Sequence, residues 1–136
     1  MFDCLIIGDS IAHGLAQSRK DCGSFAVPGY NSYQWNRRFF SENLTATNVI
    51  ISLGTNDHKG INTTQELRTL RQRIDADRVY WILPPCNSVF CKPEINGIVE
   101  DIAKERGDYV INTKQLQRDQ VHPNTAGRKE LLAKIK

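Results

Sequence analysis

Short, continuous apolar runs alternate along the chain with longer segments of helical periodicity. Runs of this length are typical of strands that are covered on both faces, and they predict five strands, at 4–7, 24–27, 49–53, 79–83 and 109–111. Amphipathic segments separate these runs and predict helices at 11–17, after 31, at 64–74, between 93 and 107, and after 124. Strands that alternate with helices predict an α/β fold of three layers, in which a five-stranded parallel sheet lies between two layers of helices.

The predicted helices also carry signals for their ends and their buried sides. Asn31 or Ser32 can cap the second helix. Its aromatic side chains are expected in the core, and they are Tyr33, Trp35, Phe39 and Phe40. Residues 63–66 fit a capping box for the third helix, and its arginines are interpreted as solvated surface, namely Arg68, Arg71 and Arg73. Pro93 suits the first turn of the fourth helix, and Gly107 suits its end.

Length and charge limit the classes of protein to which this chain can belong. At 136 residues the chain is near the usual size of one domain, and no linker-like change in composition divides it, so we expect a single domain over 1–136. The formal net charge is +3, and basic residues are interspersed with acidic ones, which argues against a nucleic-acid partner. No apolar run is long enough for a membrane span, and the first run lacks the features of a secretory signal. A cytoplasmic location is the default expectation.

The four cysteines lie at 4, 22, 86 and 91, without a C-x-x-C pair and without a histidine at metal-ligand spacing. We therefore expect no metal site. In the absence of an export signal, reduced thiols are the default expectation. Cys86 and Cys91 flank a short loop, and in an oxidising setting they could form a local disulfide.

Three predicted strands end in glycine followed by small polar residues. The first runs into a Gly-Asp-Ser triplet that ends at Ser10, the second runs into Gly29, and the third runs into 54–57, which is Gly-Thr-Asn-Asp. Because parallel sheets bind ligands at the carboxyl ends of their strands, we expect these loops to meet at one edge. Ser10 would also begin a helix, where backbone amides and the helix dipole stabilise an oxyanion. Asp9 and Asp57 are expected to stabilise their own turns through backbone hydrogen bonds.

A serine nucleophile needs a base to accept its proton, and the base needs a group that orients it. Asp119 precedes His122 by three residues across a predicted turn. The carboxylate can bond one ring nitrogen and leave the other directed toward Ser10. His13 and His58 have no carboxylate at this spacing, and both are interpreted as residues at the rim of the site.

Taken together, these segments resemble the SGNH (GDSL-like) hydrolase family. Residues 8–14, Gly-Asp-Ser-Ile-Ala-His-Gly, are similar to its first block, 28–32 to its second, 54–57 to its third and 119–122 to its fourth. The four blocks occur in the family's order and extend over nearly the whole chain. Ala12 stands where many members have a hydroxyl residue.

The resemblance implies a flavodoxin-like fold and a serine esterase that forms an acyl-enzyme intermediate. Ser10 would be the nucleophile, His122 the general base and Asp119 the acid that orients it. The backbone amides of Ser10 and Gly29 and the side-chain amide of Asn56 would form the oxyanion hole. An amide side chain donates hydrogen bonds without titrating, which independently suits that role. The implied substrate is an acyl ester with a short or acetyl group, including acetyl groups on carbohydrates, and no cofactor is implied.

The segment from Cys86 to Lys92 follows the fourth predicted strand and carries Phe90, which we expect to form one wall of the substrate pocket. Two other classes of function compete with the esterase. A domain of this fold could bind a carbohydrate or a protein partner without catalysis, although loss of activity usually removes the serine or the histidine, and both are present. A nucleotide-binding domain of the flavodoxin type would need a G-x-G-x-x-G loop or a Walker lysine, and 8–14 contains neither.

Overall fold

A computed structural model describes residues 2–85 and 92–112 of the chain. Five strands lie in this part, namely β1 (Phe2–Gly8), β2 (Gly23–Ala26), β3 (Thr45–Ser52), β4 (Asp75–Ile82) and β5 (Tyr109–Ile111). Four helices connect them, namely α1 (Ser10–Ser18), α2 (Ser32–Arg38), α3 (Thr63–Gln72) and α4 (Pro93–Arg106). The strands form one parallel sheet in the order β2-β1-β3-β4-β5. The predicted five-stranded parallel sheet is confirmed.

The middle strand of the sheet, β3, and its neighbour β1 both have continuous apolar runs. β1 pairs with β3 so that Ile6 lies beside Ile50 and Ile7 beside Ile51. All four side chains are buried, because helices cover both faces of the sheet. The continuous runs that predicted these strands therefore reflect burial on both sides.

Two clusters of buried side chains lie on the two faces of the sheet. One contains residues of α2, α3 and α4, including Trp35, Leu67 and Val99. The other contains Ile11 and Leu15 of α1, packed against apolar residues of β1, β3, β4 and β5. Helices therefore cover both faces, and the predicted three-layer α/β/α architecture is confirmed.

The aromatic residues near α2 divide into a buried pair and an exposed pair. Trp35 and Phe39 are buried, as predicted. Tyr33 and Phe40 are 49% and 74% exposed, so the prediction that they lie in the core is wrong. At 100° per residue, positions 35 and 39 share one side of the helix while 33 and 40 share the opposite side. Only the first side faces the sheet.

The start of α3 and one of its arginines also differ from expectation. Asn62 caps the helix by accepting from the backbone N–H of Gln65, because the Thr63 hydroxyl is engaged elsewhere, donating to Asp57. Arg71 is not solvated surface. Its guanidinium donates to both carboxylate oxygens of Asp108, at 2.8 and 3.0 Å, and only 12% of its side chain is exposed.

Arg73 is also partly buried, whereas Arg68 matches the expectation of a solvated residue. Arg73 donates to the backbone oxygens of Phe39 and Glu42, and burial lowers its pKa from the usual value of an arginine. Arg68 forms an ion pair with Glu105 in which about half of each side chain is exposed. Helical periodicity does not distinguish these cases, because the partners of Arg71 and Arg73 lie more than 30 residues away in sequence.

We expect Asp108→Ala to destabilise the fold by about 3–5 kcal/mol, because it leaves a buried guanidinium without its counter-charge. The indole N–H of Trp81 also loses its acceptor, which lies at 2.9 Å. Urea unfolding followed by circular dichroism measures the loss. Glu105→Ala is the matched control, since it removes only the exposed pair with Arg68 and should cost about 1 kcal/mol or less. Equal costs for the two variants would show that the Arg71–Asp108 pair is not buried in solution.

Cys4 and Cys22 form a disulfide, with 4.8 Å between their Cα atoms. The expectation of reduced thiols is therefore wrong for this pair. The reason lies in the strand register: Leu5 of β1 pairs with Gly23 of β2, which brings the residues that precede them side by side. Cys86 and Cys91 lie outside the described residues. In the part of the chain that the structure describes, none of the helices could cross a membrane.

Candidate active site

The turn that leaves β1 determines where Ser10 stands. Gly8 has φ +139°, and a Cβ added to it would lie 1.8 Å from the backbone oxygen of Ser52. Only glycine fits so close an approach between two strand ends. The chain then turns at once into α1, whose first residue is Ser10. Ser10 is half-buried, at the carboxyl edge of the sheet and at a helix N-terminus, as predicted.

Asp9 fixes this turn to the neighbouring strand. Its fully buried carboxylate accepts from the backbone N–H of Ile11 at 3.0 Å, which caps α1, and from the Ser52 hydroxyl at 3.1 Å. The backbone N–H of Asp9 donates to the Ser52 carbonyl at 3.0 Å. The position of Ser10 is therefore held from β1 and β3 together. The role predicted for Asp9, stabilisation of its own turn, is confirmed.

The loop after β2 lies against the same turn. The backbone N–H of Val27 donates to the Gly8 carbonyl at 3.0 Å, and the chain then turns through Gly29. Gly29 has φ +83° and is exposed, a conformation that residues with a side chain rarely adopt. Its backbone amide is therefore presented in a loop that is hydrogen-bonded to the exit of β1.

The loop after β3 meets the loop after β2 through Asn56. The Asn56 side-chain nitrogen donates to the Tyr30 carbonyl at 3.0 Å, and the residue is half-buried. An amide nitrogen carries two hydrogens, so one bond to Tyr30 leaves a second hydrogen for another acceptor. The 54–57 turn is closed by a bond from the Asp57 N–H to the Gly54 carbonyl at 3.0 Å. The three loops expected to meet at one sheet edge are joined to one another by these bonds.

Asp57 acts between elements and not within its own turn, which corrects the expectation. Its carboxylate is buried and accepts from the Ser32 backbone N–H at 2.8 Å, from the Ser32 hydroxyl, and from the Thr63 hydroxyl at 2.7 Å. It therefore joins the starts of α2 and α3 to the loop that carries Asn56. A buried carboxylate requires such partners, but in the sequence the hydroxyls of Ser32 and Thr63 look like ordinary helix caps.

Lys92 is a residue of this region that sequence reasoning missed. Its ammonium donates to the carbonyl of Thr55 at 3.0 Å and to that of Asp57. These two carbonyls lie on either side of Asn56 in the chain. The only sequence signal was the position of Lys92 directly before the helix-starting Pro93, which does not reveal a partner 35 residues earlier.

A pocket of about 530 Å³ lies between the N-terminal ends of α3 and α4. The residues that line it include Asp57, His58, Thr63, Lys92 and Ile95. His58 is exposed, and its Nδ1 accepts from the backbone N–H of Gly60 at 3.2 Å. That nitrogen is engaged in its own turn, which agrees with the interpretation of His58 as a rim residue.

Three of the predicted site residues cannot be located. Asp119 and His122 fall in 113–136, and Phe90 falls in 86–91, so all three lie outside the described residues. Their roles stay predictions, as do the catalytic roles of Ser10, Gly29 and Asn56. Among the described residues, a cluster of possible metal ligands consists of Cys4, Asp21 and Cys22. The disulfide occupies both of its sulfurs, so this cluster does not fit a metal ion.

Comparison with known proteins gives a likeness in fold. No family model matches the sequence, and no curated protein matches it significantly. A GDSL-like lipase from Bacteroides thetaiotaomicron has a TM-score of 0.70 and 19% identity, over 96% of this chain and 83% of that chain. A proposed acylhydrolase from Bacteroides fragilis has a TM-score of 0.71 and 17% identity, over 94% and 81%. A proposed GDSL-like lipase from Parabacteroides merdae has a TM-score of 0.63 and 16% identity, over 94% and 91%.

Proposed function

We propose, on the premise that this chain has the SGNH fold of the GDSL-like lipases, that it is a serine ester hydrolase. Its substrates would be esters of short acyl groups, acetyl above all, including acetyl groups on carbohydrates. The whole of 1–136 would act as one catalytic domain, without a cofactor. Ser10 would be the nucleophile, His122 the general base and Asp119 its orienting acid.

The observation that carries the proposal is the junction of three loops at one sheet edge. A half-buried serine at the start of α1, an exposed glycine amide in a left-handed conformation and a half-buried asparagine amide are held together by hydrogen bonds between their loops. Acyl transfer needs a nucleophile beside fixed donors that meet a developing oxyanion, and this junction supports that role for the three residues.

The reaction would proceed in two steps, formation of an acyl-enzyme and its hydrolysis. Ser10 Oγ attacks the acyl carbon and gives its proton to His122, and the former carbonyl oxygen becomes an oxyanion held by the amides of Ser10, Gly29 and Asn56. The carbon–oxygen bond to the alcohol then breaks, the alcohol leaves with the proton from His122, and Ser10 carries the acyl group. Water attacks the acyl carbon and gives a proton to His122; the bond between that carbon and Ser10 Oγ then breaks, His122 returns the proton to Oγ, and the acid leaves.

The test is steady-state hydrolysis of p-nitrophenyl esters of increasing acyl length, together with labelling by a fluorophosphonate and peptide mapping of the label. The proposal expects turnover that is fastest with the acetyl ester, and a label on Ser10. Turnover without a preference for short acyl groups would refute the substrate class but not the chemistry. Absence of both turnover and label would refute the proposed esterase activity. It would favour the alternative function, a domain that binds carbohydrate or protein without catalysis.

Asn56→Ala should lower kcat by roughly 10²–10³ with little change in KM, because an oxyanion-hole donor meets its charge mainly in the transition state. The measurement is the kinetics of p-nitrophenyl acetate hydrolysis, with the melting temperature as a check on folding. Asn43→Ala is the control, since Asn43 is an exposed residue before the amino end of β3, and it should match wild type. A rise in KM at constant kcat would instead make Asn56 a substrate-binding residue.

A further inference from the structure

The ammonium of Lys92 bonds the backbone on both sides of Asn56. Nζ donates to the Thr55 carbonyl at 3.0 Å and to the Asp57 carbonyl. These carbonyls belong to the peptide groups that precede Asn56 and follow Asp57, so the two bonds span the whole backbone of Asn56. No backbone N–H within 2–85 and 92–112 donates to either carbonyl. Lys92 is thus the donor that fixes their direction.

Lys92 is itself held at the rigid start of α4. It is the N-cap residue of that helix, and its own carbonyl accepts from the backbone N–H groups of Ile95 and Asn96. Ile95 is buried, and a Cβ added to Gly54 would lie 2.7 Å from its Cγ2 atom. The first turn of α4 therefore packs against the 54–57 turn at one point and hydrogen-bonds it at another. The backbone of Lys92 is therefore held beside the 54–57 turn, within reach of its ammonium.

Among the other contacts of this turn, one is a backbone bond, from the Asp57 N–H to the Gly54 carbonyl, and the rest act on side chains. The Asn56 amide donates to Tyr30, and the Asp57 carboxylate accepts from Ser32 and Thr63. If the Thr55 and Asp57 carbonyls were released, the peptide group before Asn56 and the one after Asp57 could rotate and carry the Asn56 side-chain amide away from the oxyanion position. Misplacement of a catalytic group by about 1 Å can cost roughly 100-fold in rate.

We propose that Lys92 is a positioning residue that holds the Asn56 amide in the oxyanion hole by bonding the carbonyls of Thr55 and Asp57. The proposal rests on the proposed function for its kinetic consequences, but its structural part concerns the Asn56 amide alone. It predicts that Lys92 acts on kcat through Asn56 and makes no contribution of its own to substrate binding.

Lys92→Met keeps the length and the apolar part of the side chain and removes all three donors. We expect kcat for p-nitrophenyl acetate to fall roughly 10- to 100-fold with KM changed less than about twofold. Lys92→Arg, whose guanidinium can still donate to two carbonyls, should recover most of the rate. Lys104→Met is the matched control, because Lys104 is exposed near the other end of α4, and it should behave as wild type.

A double-mutant cycle separates positioning from a general structural role. In an Asn56→Ala background, Lys92→Met should cost less than about twofold, because the group it positions is already absent. A full additional loss in that background would overturn the proposal, and so would a loss that appears in KM. If Lys92→Met did not fold, Lys92→Gln would carry the same comparison, since its amide can still donate to one carbonyl.

A measurement without turnover keeps this proposal distinct from the proposed function. The side-chain amide of Asn56 gives a pair of proton–nitrogen resonances, which can be assigned by their loss in Asn56→Ala. In Lys92→Met these resonances should shift or broaden, while in Lys104→Met they should not move. Unmoved resonances in Lys92→Met would overturn the positioning role even in an active enzyme, whereas displaced resonances would support it even if the protein hydrolysed no ester.

Discussion

Ser10→Ala should reduce turnover of p-nitrophenyl acetate by roughly 10⁴- to 10⁶-fold, since loss of the nucleophile removes the covalent step altogether. The melting temperature should change by only a few degrees, because Ser10 is half-buried at the first position of α1 and is not part of the apolar core. Alanine is also a good helix former at that position. The experiment compares kcat/KM and thermal unfolding of the two proteins.

Ser18→Ala is the control for Ser10→Ala, because Ser18 is an exposed residue at the other end of the same helix. It should retain full activity and should still be labelled by a fluorophosphonate on Ser10. Wild-type turnover in Ser10→Ala, or a label on another serine, would move the nucleophile elsewhere. If folded wild-type protein neither hydrolysed esters nor accepted the label, the proposed esterase activity would be refuted. The description of the fold would not be affected.

The sheet and the meeting of its loops could be predicted from the sequence because both depend on local signals. The runs at 4–7 and 49–53 are continuous because β1 and β3 are covered on both faces. Once these strands are parallel, their carboxyl ends must share an edge, so the loops that carry Ser10 and Asn56 leave the sheet at the same edge. Local chemistry likewise predicted a cap of α2 at Asn31 or Ser32, of which Asn31 forms it, and the end of α4 at Gly107.

What could not be predicted depends on partners far away in sequence. The thiols of Cys4 and Cys22 meet only through the register of β1 and β2. The hydroxyl of Thr63 looks like a helix cap until Asp57 is seen to accept from it. The sequence around a lysine does not indicate that it bonds two carbonyls. The acceptors are backbone oxygens, and every residue has a backbone oxygen. Sequence patterns therefore predicted that these loops meet at one sheet edge and not the long-range contacts that hold them.

His122→Ala should lower kcat by roughly the same factor as Ser10→Ala, because without a base the hydroxyl of Ser10 keeps its proton. Asp119→Asn should cost less than His122→Ala. In serine proteases of the trypsin type, neutralising the acid costs about 10⁴ in kcat, since the histidine adopts the wrong tautomer. Asp119 and His122 are three residues apart in the sequence, and across the predicted turn an asparagine oxygen or a backbone carbonyl would still orient the ring.

The pH profile of kcat/KM tests the dependence of His122 on Asp119 more directly than a rate at a single pH does. The rate should rise with pH as His122 loses its proton, because only the neutral imidazole can act as a base. A carboxylate beside the ring stabilises the protonated form, so its replacement by a neutral amide in Asp119→Asn should move the rise to lower pH. The measurement is kcat/KM between about pH 5 and 9 for both proteins. Identical profiles with full activity in Asp119→Asn would exclude Asp119 from the site, and the catalytic group would then be a pair of Ser10 and His122.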